Sequence, residues 1–189
     1  MARRKHARNG HGTLKGMAAG AIGGLVGALI MNQAGKATKA LTKSWQVERT
    51  ALEGQQGGEH NYPEKYGQTE QQSEDATQKA AEKVSTTLLH HHLSKKEKKF
   101  AGPAVHYLFG AAVGAAYGAL AENVPVNKAA GLPFGAAVWL GADEVAVPAL
   151  HLAEGPAAYP ASVHLRALGS HAAYGVTTEL VRRGVRALL

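Results

Sequence analysis

Six glycines at four-residue spacing constrain this chain more than any other feature. Gly16, Gly20 and Gly24 lie in residues 16–35, a run without a single charged side chain (GMAAGAIGGLVGALIMNQAG), with Gly23 and Gly27 one turn apart beside them. Gly110, Gly114 and Gly118 lie in residues 100–121 (FAGPAVHYLFGAAVGAAYGALA), charged only if His106 is protonated. Residues four apart share one face of a helix, so each run predicts a helix with a strip of bare backbone. Bare strips let helices approach closely, which is how helices associate where lipid removes the hydrophobic drive. The spacing therefore predicts two membrane spans that pack through glycine.

Composition agrees with that setting. The chain of 189 residues has 23 glycines and only 6% aromatic residues, which in water would leave a poor core. It has no cysteine, so disulfide frameworks and thiolate metal sites are excluded. The net charge of +7 is clustered: Arg3, Arg4, Lys5 and Arg8, then Lys95 to Lys99, then Arg182, Arg183 and Arg186. Basic clusters suit nucleic acid or anionic lipid. Beside long uncharged runs they read as juxtamembrane anchors, and no nucleic acid is expected. The chain divides into a basic, disordered tail (1–15), a first span (16–35), a polar loop with amphipathic helices (36–99) and a three-helix membrane domain (100–186). A cleaved signal peptide is the rival for the first span, but Gln33-Ala34-Gly35 makes a poor cleavage site. Within the loop, residues 54–73 read as a linker and 74–93 as an amphipathic helix with Ala76, Ala80, Val84 and Leu88 in line. His90, His91 and His92 read as a surface tract, since three consecutive helical residues cannot converge on one ion.

The third span, from Ala129 to Leu152, carries Gly131 and Gly135, a terminal bend at Pro148, and two acids, Asp143 and Glu144. An ionised acid near the centre of a span costs about 2.5–3.5 kcal/mol on insertion scales, so neighbouring helices must cover the pair. A fourth span follows from Ser162 to about Val181. If these hairpins turn symmetrically, Glu144 lies level with Tyr107 and His171, and His151 with His164. The expected polar layer is His106, Tyr107, Asp143, Glu144, His151, His164, Arg166 and His171, off-centre toward Phe100. Three chemistries fit it: mutual satisfaction that holds the bundle in register, proton or ion handling, and a His–carboxylate metal site. The last lacks any compact ligand motif. Nucleophilic hydrolysis is weaker still, because Ser162 and Ser170 lack elbow glycines.

The C-terminal half also resembles a known family. A small-residue span from His106 to Gly118, then Ala121-Glu122-Asn123-Val124-Pro125, then Gly131-x-x-x-Gly135 with a polar break, then His171, Tyr174 and Glu179 before Arg182-Arg183 is similar to the YagU-like bacterial inner-membrane proteins, whose function is unknown. The resemblance covers residues 100–186 and implies several membrane helices and an inner-membrane location. It carries no catalytic residues with it. The expectation is an all-α integral membrane bundle of about four glycine-rich helices with a structural or interaction role. The alternative is a proton- or ion-linked transporter using the Asp/Glu/His layer, and a membrane-embedded metal hydrolase stands third. No cofactor or metal is expected, enzymatic activity is not, and the partners are the lipid bilayer and a homo-oligomer through the same glycine faces. A cytoplasmic N-terminus follows from the basic tail, which leaves Lys95 to Lys99 on the outer side against the positive-inside rule.

Overall fold

A computed structural model describes the backbone of residues 2–53, 69–127 and 129–189, with side chains for 11–37, 76–127 and 129–189. Every regular element among the described residues is helical. Helix α1 spans Ala2–Glu53, α2 Thr69–Val84, α3 Lys95–Asn123, α4 Gly131–Trp139 and α5 Ala161–Leu188. Two stretches, His11–Ala37 of α1 and Lys95–Asn123, are long and apolar enough to cross a membrane. The segment read as a disordered tail is helical from Ala2 onward, since α1 runs unbroken through it. Most of the linker at 54–73 lies outside the described residues.

Helix α1 sits between α3 and α5, and glycine sets how close it comes. A methyl built on Gly16 would meet the Gly118 carbonyl at 2.6 Å, and one on Gly20 the Gly118 Cα at 2.9 Å. One on Gly24 would meet the Gly110 carbonyl carbon at 2.9 Å. The pairs climb one helix while descending the other, so α1 and α3 are antiparallel. On the second side of α1, Gly23 lies against Thr178 and Gly27 against Tyr174 of α5, again antiparallel. Helix α4 uses the same device, with Gly131 on Gly175 and Gly135 on the His171 backbone.

Helix α3 starts early and passes Pro103 without stopping. Ser94 accepts from the Glu97 amide at 3.3 Å while Glu97 accepts from the Ser94 amide at 2.7 Å, a reciprocal cap that fixes its first turn. Pro103 therefore lies two turns inside α3 rather than in its first turn. Helix α2 folds back on α3 through a π-helical turn, Ser85–Leu89, and a left-handed His90 (φ 52°). It buries Ala76, Ala81 and Ser85, a stripe rotated from the expected one, and leaves Val84 and Leu88 exposed. Glu82 clasps the hairpin: it accepts from His92 Nδ1 at 2.9 Å and the Leu93 amide at 3.0 Å, and pairs with Lys98 at 3.3 Å. The His92 bond, ahead of the others, holds the Glu82 carboxyl below its usual range.

The third apolar stretch is not a regular span. Helix α4 gives way to a π-helical segment, Leu140–Ala146, and a single turn, Val147–Ala149. It also begins halfway along the bundle. Gly131 packs on Gly175, next to Tyr174, whose hydroxyl donates to the Gly110 carbonyl at 2.7 Å, and Gly110 is near the middle of α3. Residues 124–127 and 129–130 lie between the end of α3 and that level and are not helical.

Two outcomes test this packing. Gly114→Val drives two methyls into the α1 backbone and should lower stability by about 1–3 kcal/mol or more, whereas Gly184→Ala, with open space around it, should be neutral or gain up to about 1 kcal/mol; thermal unfolding followed by circular dichroism in detergent separates them. A carboxyl held low stabilises above its unfolded pKa and loses that contribution as pH falls through the folded value. Protection of the Leu93 amide, its exchange measured against the intrinsic rate at each pH, should therefore fall below about pH 4.5, the ordinary glutamate value, and Glu82→Gln should remove that dependence.

Candidate functional site

The structure divides the expected polar layer into parts. The π-helical segment carries both acids, and α5 meets each with a histidine. Glu144 Oε1 lies 2.7 Å from His164 Nδ1, and His164 Nε2 donates to the Pro156 carbonyl at 3.1 Å. Asp143 Oδ2 lies 3.7 Å from His171 Nδ1, which donates to the Ala167 carbonyl at 2.9 Å. His164 and His171 are seven residues apart, two turns of α5, so they share a face and reach successive acids. His171 is buried and Asp143 half-exposed. His106 comes from α3, on the side that meets Ala28 of α1. Its Nε2 is buried and bonds to no described residue.

The other members lie elsewhere. Tyr107 accepts a bond from Asn32 Nδ2 of α1 at 3.0 Å instead of facing the acids. His151 is exposed, at a left-handed position (φ 57°) beyond the last turn, because the chain stops being helical before it could come level with His164. Arg166 joins no ion pair among the described residues, so it does not neutralise the acids. Glu144 meets His164 instead of lying level with His171, which Asp143 faces, because α4 and α5 do not turn about a symmetrical loop. Trp139 and Tyr159 flank His164 with ring centroids at 6.5 and 6.4 Å, and each has a buried polar atom without a partner among the described residues. No group of three His or acidic side chains among the described residues is placed to hold a metal.

A second charged cluster was not anticipated. Glu179 is 1% exposed and Arg182 5%. Arg182 donates to Glu179 through Nε at 2.7 Å and Nη2 at 3.1 Å, and Arg183 Nε pairs with the same carboxylate. Arg183 Nη2 also donates to the carbonyls of Val126 at 3.2 Å and Asn127 at 2.9 Å. That fork gives the Val126 carbonyl its partner and adds a second donor to the Asn127 carbonyl, which also accepts from the Ala130 amide at 3.2 Å. Tyr117, stacked on Phe134 at 4.1 Å, lies under the Arg182 guanidinium at 5.8 Å. Glu122 and Arg186 close the same end with bonds of 2.7 and 3.0 Å. The signal available in sequence was the spacing itself, Glu179 three and four residues before Arg182 and Arg183.

The pattern of a family described as a protein of unknown function, DUF1440, matches residues 55–180. The chain belongs to the DUF1440 family. The match takes in two thirds of the chain, including part of the polar segment ahead of α3, both acid–histidine pairs and Glu179. No curated protein and no solved structure matches the chain.

Breaking the second cluster should be costly. Arg183→Ala removes one partner of a buried carboxylate and strands the Val126 carbonyl, the Asn127 carbonyl keeping the Ala130 amide, with an expected loss of about 3–5 kcal/mol; Arg183→Lys should recover little of it, because a point charge cannot make the fork. Denaturant unfolding of the purified protein reads both.

Proposed function

We propose that this chain is a multi-pass protein of the bacterial inner membrane whose role is structural, a glycine-packed helical scaffold offering its outer surface to lipid and to other membrane components. One observation carries the reading: the side chains are distributed inside out. The inward stripe of α5 is His171, Tyr174, Gly175, Thr178, Glu179 and Arg182, with Thr178 at 0% exposure. Outward stand Leu165 at 67% and Leu180 at 63%, with Leu14, Leu108 and Phe109 on α1 and α3. A protein in water does the reverse, because burying apolar surface drives its folding. In lipid an apolar exterior costs nothing and the interior is free to hold small and paired polar groups.

On this reading α1, α3 and α5 are full crossings, and the helical stretch 131–149 together with the non-helical 124–127 clamped by Arg183 forms a broken one. Broken spans are tolerated where protein covers the open backbone. The resemblance to YagU-like proteins supports the inner membrane. Both glycine ladders are occupied within the chain, so a homo-oligomer would use the leucine-bearing outer faces instead. A second reading, a proton-linked membrane protein, is favoured by one specific feature, the Glu144–His164 and Asp143–His171 pairs.

Topology reporters fused after residues 60, 126, 158 and 189 test the scaffold reading. Sites 60 and 158 should report one side and 126 and 189 the other, with the protein resisting carbonate extraction. A shared side for 60 and 126 would sink the four-crossing arrangement.

A further inference from the structure

Helix α3 carries one unbroken outward ridge. Every fourth residue from Lys96 to Leu120 is exposed, with Phe100 at 78% and Leu108 at 68% among them. Residues at that spacing lie one above the next on a single face. The ridge two residues away does the packing: Lys98 pairs with Glu82 of α2, Gly102 lies against Gln78, and Gly110 against Ala28 of α1. The outward ridge is apolar for its whole length after Lys96.

The head of that ridge carries charge of one sign. Lys95, Lys96 and Lys99 are exposed and join no ion pair among the described residues. The two acids of the α2–α3 hairpin with described side chains are engaged within it. Glu82 holds His92, the Leu93 amide and Lys98, which draws Lys98 away from the others. Glu97 accepts from the Ser94 amide at 2.7 Å and lies 3.6 Å from His91 Nε2. Three ammonium groups without an acid partner thus stand directly above Phe100, Ala104 and Leu108.

We propose that this ridge binds an anionic phospholipid of the bilayer, its phosphate held by Lys95, Lys96 and Lys99 and one acyl chain lying along Phe100, Ala104 and Leu108. The proposal rests on the membrane reading above and names the lipid that one part of the outer surface takes. At 1.5 Å per residue the three lysines lie about 1.5–7.5 Å above Phe100, within a headgroup layer about 5–7 Å thick. Phe100 to Leu108 spans about 12 Å, most of the roughly 15 Å depth of one leaflet's hydrocarbon. Lysine stems can lie on the apolar ridge while the ammonium groups stay at headgroup level. Nucleic acid would answer the lysines but leave Phe100 and Leu108 facing water. A zwitterionic lipid would suit the apolar ridge but bring a positive group along with its phosphate.

The test uses the full chain in detergent, with bound lipid counted by native mass spectrometry as dioleoyl phosphatidylglycerol or dioleoyl phosphatidylcholine is added. The native chain should bind phosphatidylglycerol about tenfold more tightly or better. Each lysine at an anionic lipid surface contributes about a fivefold change. Lys95→Gln, Lys96→Gln and Lys99→Gln combined should therefore weaken phosphatidylglycerol binding about tenfold or more and leave phosphatidylcholine binding unchanged. Lys79→Gln, at an exposed position of α2, should change neither. Inorganic phosphate should not displace the lipid, because it has no chain to lie on the ridge. A triple variant that binds phosphatidylglycerol as the native chain does overturns the proposal. So does a native chain without the preference, displacement by inorganic phosphate, or tighter binding of a duplex oligonucleotide. Circular dichroism checks the fold of the triple variant; should it misfold, Lys96→Gln alone decides, with an expected loss of about fivefold. Carbonate extraction judges the membrane reading separately. A chain that resists extraction but shows no preference keeps that reading and loses this site, whereas a chain that washes off loses both.

Discussion

The antiparallel approach of α1 and α3 through bare backbone holds the other elements in place, because α1 is also the surface on which α5 packs. With Gly16, Gly20 and Gly24 against Gly118, Gly114 and Gly110, the two backbones come within distances that no Cβ could share. The other side of α1 takes α5 through Gly23 and Gly27, and α4 attaches to α5 through Gly131 and Gly135. Dispersion between closely packed backbones replaces the hydrophobic core that so few large buried side chains could supply. Only eight hydrophobic side chains among the described residues are buried, and four of those are alanines, two on α1 and two on its neighbour's α2 cover, so the interior has little else to pack with.

Close packing leaves room for polar groups only where they answer one another. At the Glu122 end a single carboxylate, Glu179, binds two guanidiniums, and one of these goes on to cap the irregular segment that leads into α4. Charge pairing and backbone satisfaction thus meet in Arg183. At the opposite end the π-helical segment alters the side-chain progression along the chain after Trp139, and both acids meet histidines of α5. Local departures from α-helical geometry of this kind recur at functional sites. Here the departure coincides with the only acids in the stretch 129–152.

Much of the helical content was legible because its signals are local. The four-residue glycine spacing and the uncharged runs at 16–35 and 100–121 mark two helices, and the reciprocal Ser94–Glu97 cap can be read from residue types three apart. The acids at 143 and 144 stood out by their chemistry, and so did the histidines, yet their pairing did not. Assigning partners by symmetrical hairpins assumed that residues 129–152 were one straight helix. A π-helical segment and a start at mid-height moved Glu144 onto His164, left Asp143 facing His171 within the expected layer and put His151 outside, while Tyr107 turned to Asn32 of α1.

Alone, then, the sequence determined which segments coil and which of their faces lack side chains, since backbone hydrogen bonding and side-chain volume act within a few residues. Only the tertiary structure decided which glycine strip meets which, where α4 begins, and that Glu179 rather than Asp143 is the most deeply enclosed acid. Those outcomes depend on the depth at which one helix lies against another. That depth is set by contacts between residues as far apart as Val126 and Arg183, or Gly110 and Tyr174, a separation over which no local spacing carries information.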